Sequence, residues 1–240
     1  MSYHWQEMTI ASTGTHHLAH GLPAYSVRFE KVLAFHAPGL APVYDATGAY
    51  HITSDGNAAY ALRYRQTFGF YERRAAIQSE GGWFHIYTNG YPCYEQRYDW
   101  CGNFQNGRCT VRYRDGTYCH ILSDGQAAYT ECYRYAGDYR EGIAVVQHGN
   151  GMHTHINMLG QLLHAKWFLD LDTFHKGFAR ACDHSGWHHI DVHGNPIYPQ
   201  RFAHIEPFYN GQARVGCTDG SLFVINETGA MVVKLRDACR

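Results

Sequence analysis

Histidine is the residue through which this sequence could do most chemistry, since 18 of its 240 residues are histidines. Six of them recur at a nearly constant spacing: His16, His51, His85, His120, His155 and His189. Neutral imidazole is the commonest metal ligand in proteins, so one interpretation is that the five from His51 onward form the divalent-metal site of a hydrolase or lyase. The other is that each imidazole makes the same structural hydrogen bond in its own copy of a repeat. We favour the structural interpretation, because catalytic sites usually break the symmetry of a repeat, and we predict neither catalytic residues nor a cofactor.

A second group of reactive side chains lies where the repeat pattern is broken. It consists of Trp167, Asp170, Asp172, His175 and Lys176, with Trp100 near a corresponding position earlier in the chain. An Asp-x-Asp pair with a nearby histidine could hold a divalent cation or act as an acid and a base. It could equally be a solvated loop whose carboxylates pair with Lys176. Because function tends to occur where local consistency fails, we predict a binding surface at this segment.

Four arginines recur in the same phase, each directly before an aromatic residue: Arg28, Arg63, Arg97 and Arg201. Cys132 and Trp167 stand in their place in two further copies. A guanidinium group suits phosphate, but its repetition favours a structural role. We predict that each arginine pairs with a carboxylate or carbonyl between copies and packs its stem on an aromatic ring.

These side chains are carried by an internal repeat of 34 or 35 residues. Its clearest marks are the glycines Gly21, Gly56, Gly90, Gly125, Gly160, Gly194 and Gly229. Two aromatic series keep the same phase, namely Phe29, Tyr64, Tyr98, Tyr133, Phe168 and Phe202, and then Phe35, Phe70, Phe104, Tyr139, Phe174 and Phe208. A glycine follows the second series three residues later in four copies, whereas Arg73 takes its place once. Chance does not keep such a register over 200 residues.

The repeat unit reads as short antiparallel strands. Polar and apolar residues alternate through 108–114, Asp115 and Gly116 form a tight turn, and 117–121 return as the next strand. A unit of this size cannot bury its apolar face alone, so neighbouring units must pack together. The predicted fold is therefore all-β, a β-propeller of seven blades, with six blades or an open β-solenoid as alternatives.

The copies are expected to form one repeat domain over residues 1–240. Full copies span 22–56, 57–90, 91–125, 126–160, 161–194 and 195–229, with a partial copy at 7–21. Residues 230–236 could supply an early strand of a composite blade that contains this partial copy. Complementary halves at the two termini would close the ring and hide its edges.

The pattern resembles the WG-repeat family. Its first element has counterparts in residues 83–86 (WFHI) and 187–191 (WHHID), and its second in 139–146 (YREGIAVV) and 208–215 (FYNGQARV). Runs at 100–104, 168–180 and 206–214 are also similar to the N-terminal repeat region of some bacterial S-adenosylmethionine-dependent methyltransferases. No GxGxG turn is present for the methyltransferase itself. The resemblance implies an accessory domain with a methyltransferase as partner, and it carries over no catalytic residue.

Composition narrows the partners further. The formal net charge is −1, so we expect no nucleic acid as partner. Residues 1–20 lack the features of a secretory signal, and no apolar run suits a membrane span. The eight cysteines form no CxxC pair, and we expect reduced, buried thiols in a cytoplasmic protein. We therefore predict a non-catalytic binding module for a protein, a peptide or a small molecule.

Overall fold

The computed structural model describes residues 4–238. It divides into two compact units, Met1–Ala128 and Tyr129–Arg240, and each is described by itself. Seven small antiparallel sheets make up the two units, and apart from one 3₁₀ turn the described residues contain no helix. The prediction of an all-β chain is confirmed.

Unit 1 begins with the 3₁₀ turn Trp5–Glu7 and contains four three-stranded sheets. Their strands are, in order, β1 (Thr9–Ile10), β2 (His17–Ala19), β3 (Leu22–Pro23); β4 (Lys31–Val32), β5 (Ala41–Asp45), β6 (Gly48–Ile52); β7 (Gln66–Thr67), β8 (Ala75–Ser79), β9 (Gly82–Ile86); β10 (Trp100–Cys101), β11 (Cys109–Arg112), β12 (Tyr118–Ile121). Neighbours in sequence are neighbours in each sheet. The predicted hairpin of β11 and β12 is confirmed, with Cys109 opposite Ile121.

Unit 2 contains three sheets of the same kind. Their strands are β13 (Tyr135–Ala136), β14 (Ile143–Gln147), β15 (His153–Asn157); β16 (Asp170–Leu171), β17 (Ala179–Asp183), β18 (Gly186–Ile190); β19 (His204–Ile205), β20 (Gln212–Gly216), β21 (Leu222–Asn226), β22 (Met231–Arg236). The last sheet has four strands because β22 is added to it.

In the five sheets from β4–β6 to β16–β18, the segment after the third strand turns at the repeat glycine and runs back beside that strand. After β9, for example, Pro92 bridges to Ile86 and Tyr98 bridges to Trp83. In the last sheet β22 occupies this outer place as a regular strand paired with β21, and all six of its residues are exposed. The prediction of an early strand at 230–236 is therefore wrong, since these residues form the outer strand of the sheet that precedes them.

The predicted aromatic series form the core of each unit. Phe29, Tyr98, Tyr133 and Phe168 are at most 6% exposed, and Phe70, Phe104, Tyr139 and Phe208 at most 3%. Burial of such a ring stabilises a fold by about 1.5–3 kcal/mol. The assignment of the core face from the repeat is confirmed.

The cysteines differ from the expectation of free thiols. Cys119 and Cys132 are disulfide-bonded, whereas Cys101 and Cys109 are free and buried, and Cys93, Cys182 and Cys217 are free and half-buried. Cys239 lies outside the described residues. A sequence without a CxxC motif does not reveal which cysteines come close enough to bond, because that depends on tertiary neighbours. Among the described residues, no helix is both long and apolar enough to cross a membrane.

Candidate functional site

The repeated histidines share one hydrogen-bond arrangement. His51 is the pattern: its Nδ1 lies 2.6 Å from the hydroxyl of Tyr60, and its Nε2 lies 2.8 Å from the carbonyl oxygen of Phe68. A carbonyl oxygen only accepts, so Nε2 carries the proton and donates it, and Nδ1 accepts from the tyrosine. The same contacts link His17 to Tyr25 and Leu33, His85 to Tyr94 and Gly102, and His189 to Tyr198 and Glu206.

Both nitrogens of these rings are engaged, which leaves no lone pair directed at a common centre. Burial lowers the pKa of His51, His85, His155 and His189 to about 4, so they are neutral at pH 7. Within residues 4–238 no group of three or more His, Cys, Asp or Glu side chains is placed to hold a metal ion. The geometry supports the structural interpretation of the repeated histidine.

The first copy corrects the assignment of its histidine. His17, fully buried, makes the repeat contacts, whereas His16 is half-exposed and bonds to the hydroxyl of Thr15. The interval from His17 to Tyr25 is one residue shorter than from His51 to Tyr60. This deletion shifts the register that spacing alone assigns to His16.

One copy replaces the tyrosine of the arrangement by a second histidine. His155 Nδ1 lies 3.0 Å from His164 Nε2, and His155 Nε2 lies 2.9 Å from the carbonyl of Asp172. Since His155 donates through Nε2, the hydrogen bond at its Nδ1 is donated by His164. The backbone N–H of Lys166 in turn faces His164 Nδ1 at 3.4 Å. The pair thus keeps the neutral hydrogen-bond chain of the other copies.

The repeated arginines are structural in their contacts. Arg63 donates through Nη1 to the carbonyls of residues 60, 61 and 62 at 3.0–3.1 Å, and its guanidinium lies 3.5 Å from the centre of the Tyr50 ring. Arg97 stacks likewise on Phe84, at 3.6 Å, and Arg201 pairs with Asp183 at 2.9 Å. The predicted carbonyl and aromatic contacts are present. The carbonyls belong to the arginine's own segment, whereas Asp183 lies in the copy before that of Arg201, so this carboxylate contact runs between copies as predicted.

Trp167 occupies the arginine position of its copy, and a second substitution in the adjacent strand explains why an arginine is not required there. Its sheet has Thr154 where the sheets beside Arg63 and Arg97 have Tyr50 and Phe84. The Thr154 hydroxyl donates to the Lys166 carbonyl at 2.9 Å. An arginine is therefore not needed to satisfy that carbonyl. Trp167 is 36% exposed and packs edge-on against His148, with ring centres 5.7 Å apart.

The other predicted binding residues of unit 2 are dispersed among separate contacts. Asp172 forms an ion pair with Arg180, and Asp170 accepts a hydrogen bond from the backbone N–H of Leu171. His175 packs on Tyr209 with ring centres 5.7 Å apart, and Lys176 is exposed at a turn. In unit 1, Trp100 is half-buried on β10 opposite Arg112. A binding surface around Trp167 stays a prediction.

The structure draws attention to the turns between the first and second strands of the copies, here called the first turns. In four copies the two central residues have positive φ, as type I′ turns require: 106 and 107, 141 and 142, 176 and 177, 210 and 211. The second of each pair is glycine, which adopts positive φ without strain. In the turn of residues 71–74 the pair is instead Glu72 (φ 47°) and Arg73 (φ 64°). Arg73 breaks the pattern in sequence, but its importance depends on what surrounds it.

A cavity of about 550 Å³ opens beside this turn, within unit 1. It is lined by His36, Ala37, Pro38, Phe70, Tyr71, Glu72 and Arg73. The His36 and Tyr71 rings pack together with centres 4.8 Å apart. Cavities of several hundred Å³ with apolar walls and a few polar groups are typical of ligand sites. We name this the Arg73 cavity.

The charged groups of the Arg73 cavity have distinct roles. The Glu72 carboxylate accepts a hydrogen bond of 2.9 Å from the backbone N–H of Gly107, which fastens the turn to the next first turn. Partial burial lowers the pKa of His36, so this imidazole is neutral at pH 7. Arg73 is exposed and forms no ion pair with another described side chain. The cavity therefore presents one available cation.

Comparison with solved structures gives the class of fold. The chain resembles a computationally designed protein, Ika8, with a TM-score of 0.51 and 13% identity over 95% of this chain and 83% of that one. It also resembles the β-propeller BamB from Moraxella catarrhalis, with a TM-score of 0.50 and 11% identity over 95% of this chain and 84% of that one. At such identities the likeness concerns the fold alone. No protein-family model and no curated protein matches the sequence.

Proposed function

We propose that the chain is a non-catalytic binding module whose ligand is a protein or peptide. The observation that carries this proposal is the Arg73 cavity, because it lies at the first turn where, within residues 4–238, a strained arginine replaces glycine. Backbone strain of this kind persists where function retains it. The ring nitrogens of the repeated histidines, by contrast, are already hydrogen-bonded within the fold, as at His51.

A peptide-display selection on the purified full chain tests the proposal. We expect enriched peptides that bind with one-to-one stoichiometry in calorimetry. Absence of any enriched binder would contradict the proposal. So would stoichiometric zinc, iron or manganese in the purified protein, lost in the His85→Ala and His120→Ala variants, because that result would favour a metal-dependent hydrolase or lyase.

We also propose that the seven sheets belong to a closed seven-bladed propeller in a cytoplasmic protein. The seven similar sheets and the likeness to BamB support the ring. A compact chain of this length has a radius of gyration of about 18 Å, whereas an open rod of the same length has a larger radius of gyration. Small-angle scattering that gave a much larger radius would exclude closure.

A methyltransferase encoded beside this chain is the partner favoured by the similarity of residues 100–104, 168–180 and 206–214 to the N-terminal repeat region of some bacterial methyltransferases. Co-purification of the two proteins supports this assignment, and failure to associate excludes it.

Thiol titration tests the proposed cytoplasmic location, because Cys119 and Cys132 are disulfide-bonded in the structure and a reducing cytoplasm would keep them as thiols. Two titratable thiols at these positions are expected there.

A further inference from the structure

The walls of the Arg73 cavity are mostly apolar and are fixed by packing. Phe70, at the inner wall, is 2% exposed. The His36 and Tyr71 rings contact each other at a tilt of 46°, with centres 4.8 Å apart, and Ala37 and Pro38 also line the cavity. Such a surface suits an aromatic ring, because aromatic pairs pack favourably in offset or edge-to-face geometry.

The position of the arginine is also fixed. Glu72 and Arg73 follow Tyr71 in a tight turn that the Tyr71 and Arg74 backbones close with two hydrogen bonds of 2.8 and 2.9 Å. The Glu72 carboxylate anchors the turn to Gly107. Glycine would form this turn without strain, so the arginine side chain is kept at a conformational cost.

The charge balance of the cavity selects an anion. Glu72 is engaged by a backbone N–H, and His36 is neutral. The guanidinium of Arg73 is then the remaining charge, and its planar fork matches a carboxylate with two parallel hydrogen bonds. We infer that the Arg73 cavity binds a peptide segment in which an aromatic side chain lies next to a carboxylate, the ring between His36, Tyr71 and Pro38 and the carboxylate on Arg73.

This inference rests on the proposed function and adds the chemistry of the ligand. The probe is N-acetyl-phenylalanine, which combines an aromatic ring with one carboxylate. Its matched control is N-acetyl-phenylalaninamide, which keeps the ring and lacks the charge. Nuclear magnetic resonance of the full chain, read at the Arg73 side-chain Nε–H and the His36 ring, measures both affinities.

We expect saturable shifts at both residues with the acid, and an affinity about tenfold lower for the amide, as befits the loss of a charge-assisted pair. Arg73→Gly restores the turn residue of the other copies, so it folds, and we expect it to weaken the acid about tenfold. Arg65→Ala removes an exposed arginine that pairs with Glu80 in a separate groove, and it should bind like the parent.

Equal affinity for acid and amide would overturn the inference, as would full affinity in the Arg73→Gly variant or no saturable shift. The display-selected peptides separate this failure from that of the proposed function. If they bind Arg73→Gly as tightly as the parent, the chain is still a binding module, but its ligand lies elsewhere.

Discussion

At the scale of single residues, the structure distinguishes side chains whose polar groups already have partners within the fold from side chains that can still bind a ligand. The imidazole of His51 has a donor on one side and an acceptor on the other, and the guanidinium of Arg63 faces three carbonyls and a ring. Arg73 has no comparable set of partners among the described side chains, although it occupies a conformation that costs free energy. Repetition therefore identifies structural residues here, and the exception identifies the candidate site.

Replacement of Arg73 by glycine should make the protein more stable. A left-handed conformation costs a non-glycine residue about 1–2 kcal/mol, and glycine loses about 0.5–1 kcal/mol of that gain to the entropy of the unfolded chain. We expect the free energy of unfolding in urea to rise by about 0.5–1 kcal/mol.

The reciprocal control for this prediction is Gly107→Arg in the next first turn. Gly107 has φ 70°, and no atom lies within 4 Å of the place where its Cβ would be. Only backbone strain is added there, so stability should fall by a similar amount. A loss of stability in Arg73→Gly would show that the arginine side chain stabilises the fold and that the strain argument is wrong.

At the scale of elements, the turn glycines show how one copy depends on the next. Gly56, Gly90 and Gly125 all have positive φ, and each faces a tyrosine ring of its own copy: Tyr25, Tyr60 and Tyr94. The same tyrosines donate to the repeated histidine of the preceding copy. One tyrosine thus joins a turn and a strand, which explains why glycine, tyrosine and histidine keep the same period.

Replacement of Gly90 by alanine should cost much more than the same change at Gly116. Both glycines have φ 85°, so the backbone strain of about 1–2 kcal/mol is shared. A Cβ at Gly90 would lie 2.6 Å from the Tyr60 ring, whereas none of the neighbouring atoms lies within 4 Å at Gly116. Overpacking adds about 1–3 kcal/mol to the Gly90→Ala variant alone.

Urea unfolding of the two variants gives this difference directly, because the backbone term cancels. Far-ultraviolet circular dichroism of both proteins should show the same strand content as the parent. Equal losses of stability at the two positions would mean that Tyr60 moves aside without cost and does not join the copies.

The sequence predicts the elements well where the period is intact and poorly where it is interrupted. The positive φ of the turn glycines and the hairpin of β11 and β12 follow from residue types that only those turns accept. The one-residue deletion before Tyr25 conceals the role of His17. The sequence does not reveal the outer position of β22, because apolar and polar residues do not alternate regularly along it and so specify neither a buried face nor a register.

The candidate site illustrates the same limit. The loss of glycine at Arg73 is visible in the sequence, and so is the substitution at Trp167. Tertiary contacts distinguish the two positions. A cavity lies beside Arg73, with the His36 and Tyr71 rings in its wall. Near Trp167, by contrast, Asp170 accepts a hydrogen bond from a backbone N–H and Asp172 pairs with Arg180. Spacing gives the position of an exception but not the neighbours that make it useful.

At the scale of the whole molecule, the repeated histidines couple stability to pH. His51, His85, His155 and His189 have a pKa of about 4 in the folded protein, against an ordinary value of 6.5. The fold therefore favours their neutral form. Between pH 6.5 and pH 4 the unfolded chain binds protons at these histidines and the folded chain does not. The stability that they contribute is complete above pH 6.5 and is lost as the pH falls toward 4.

Acid unfolding should consequently occur before pH 4 is reached. Each shift corresponds to about 3 kcal/mol, and four together approach or exceed the 5–15 kcal/mol that stabilises a typical domain. Tryptophan fluorescence and circular dichroism between pH 7 and pH 3.5 follow the transition. His85→Gln retains a donor for the Gly102 carbonyl but cannot be protonated, so it should reduce the slope of stability against pH by about 1.4 kcal/mol per pH unit. Stability that stayed constant from pH 6.5 to 4.5 would mean that the imidazoles can be protonated within the fold, and the neutral hydrogen-bond chain from tyrosine to carbonyl would then be the wrong description of what joins the copies.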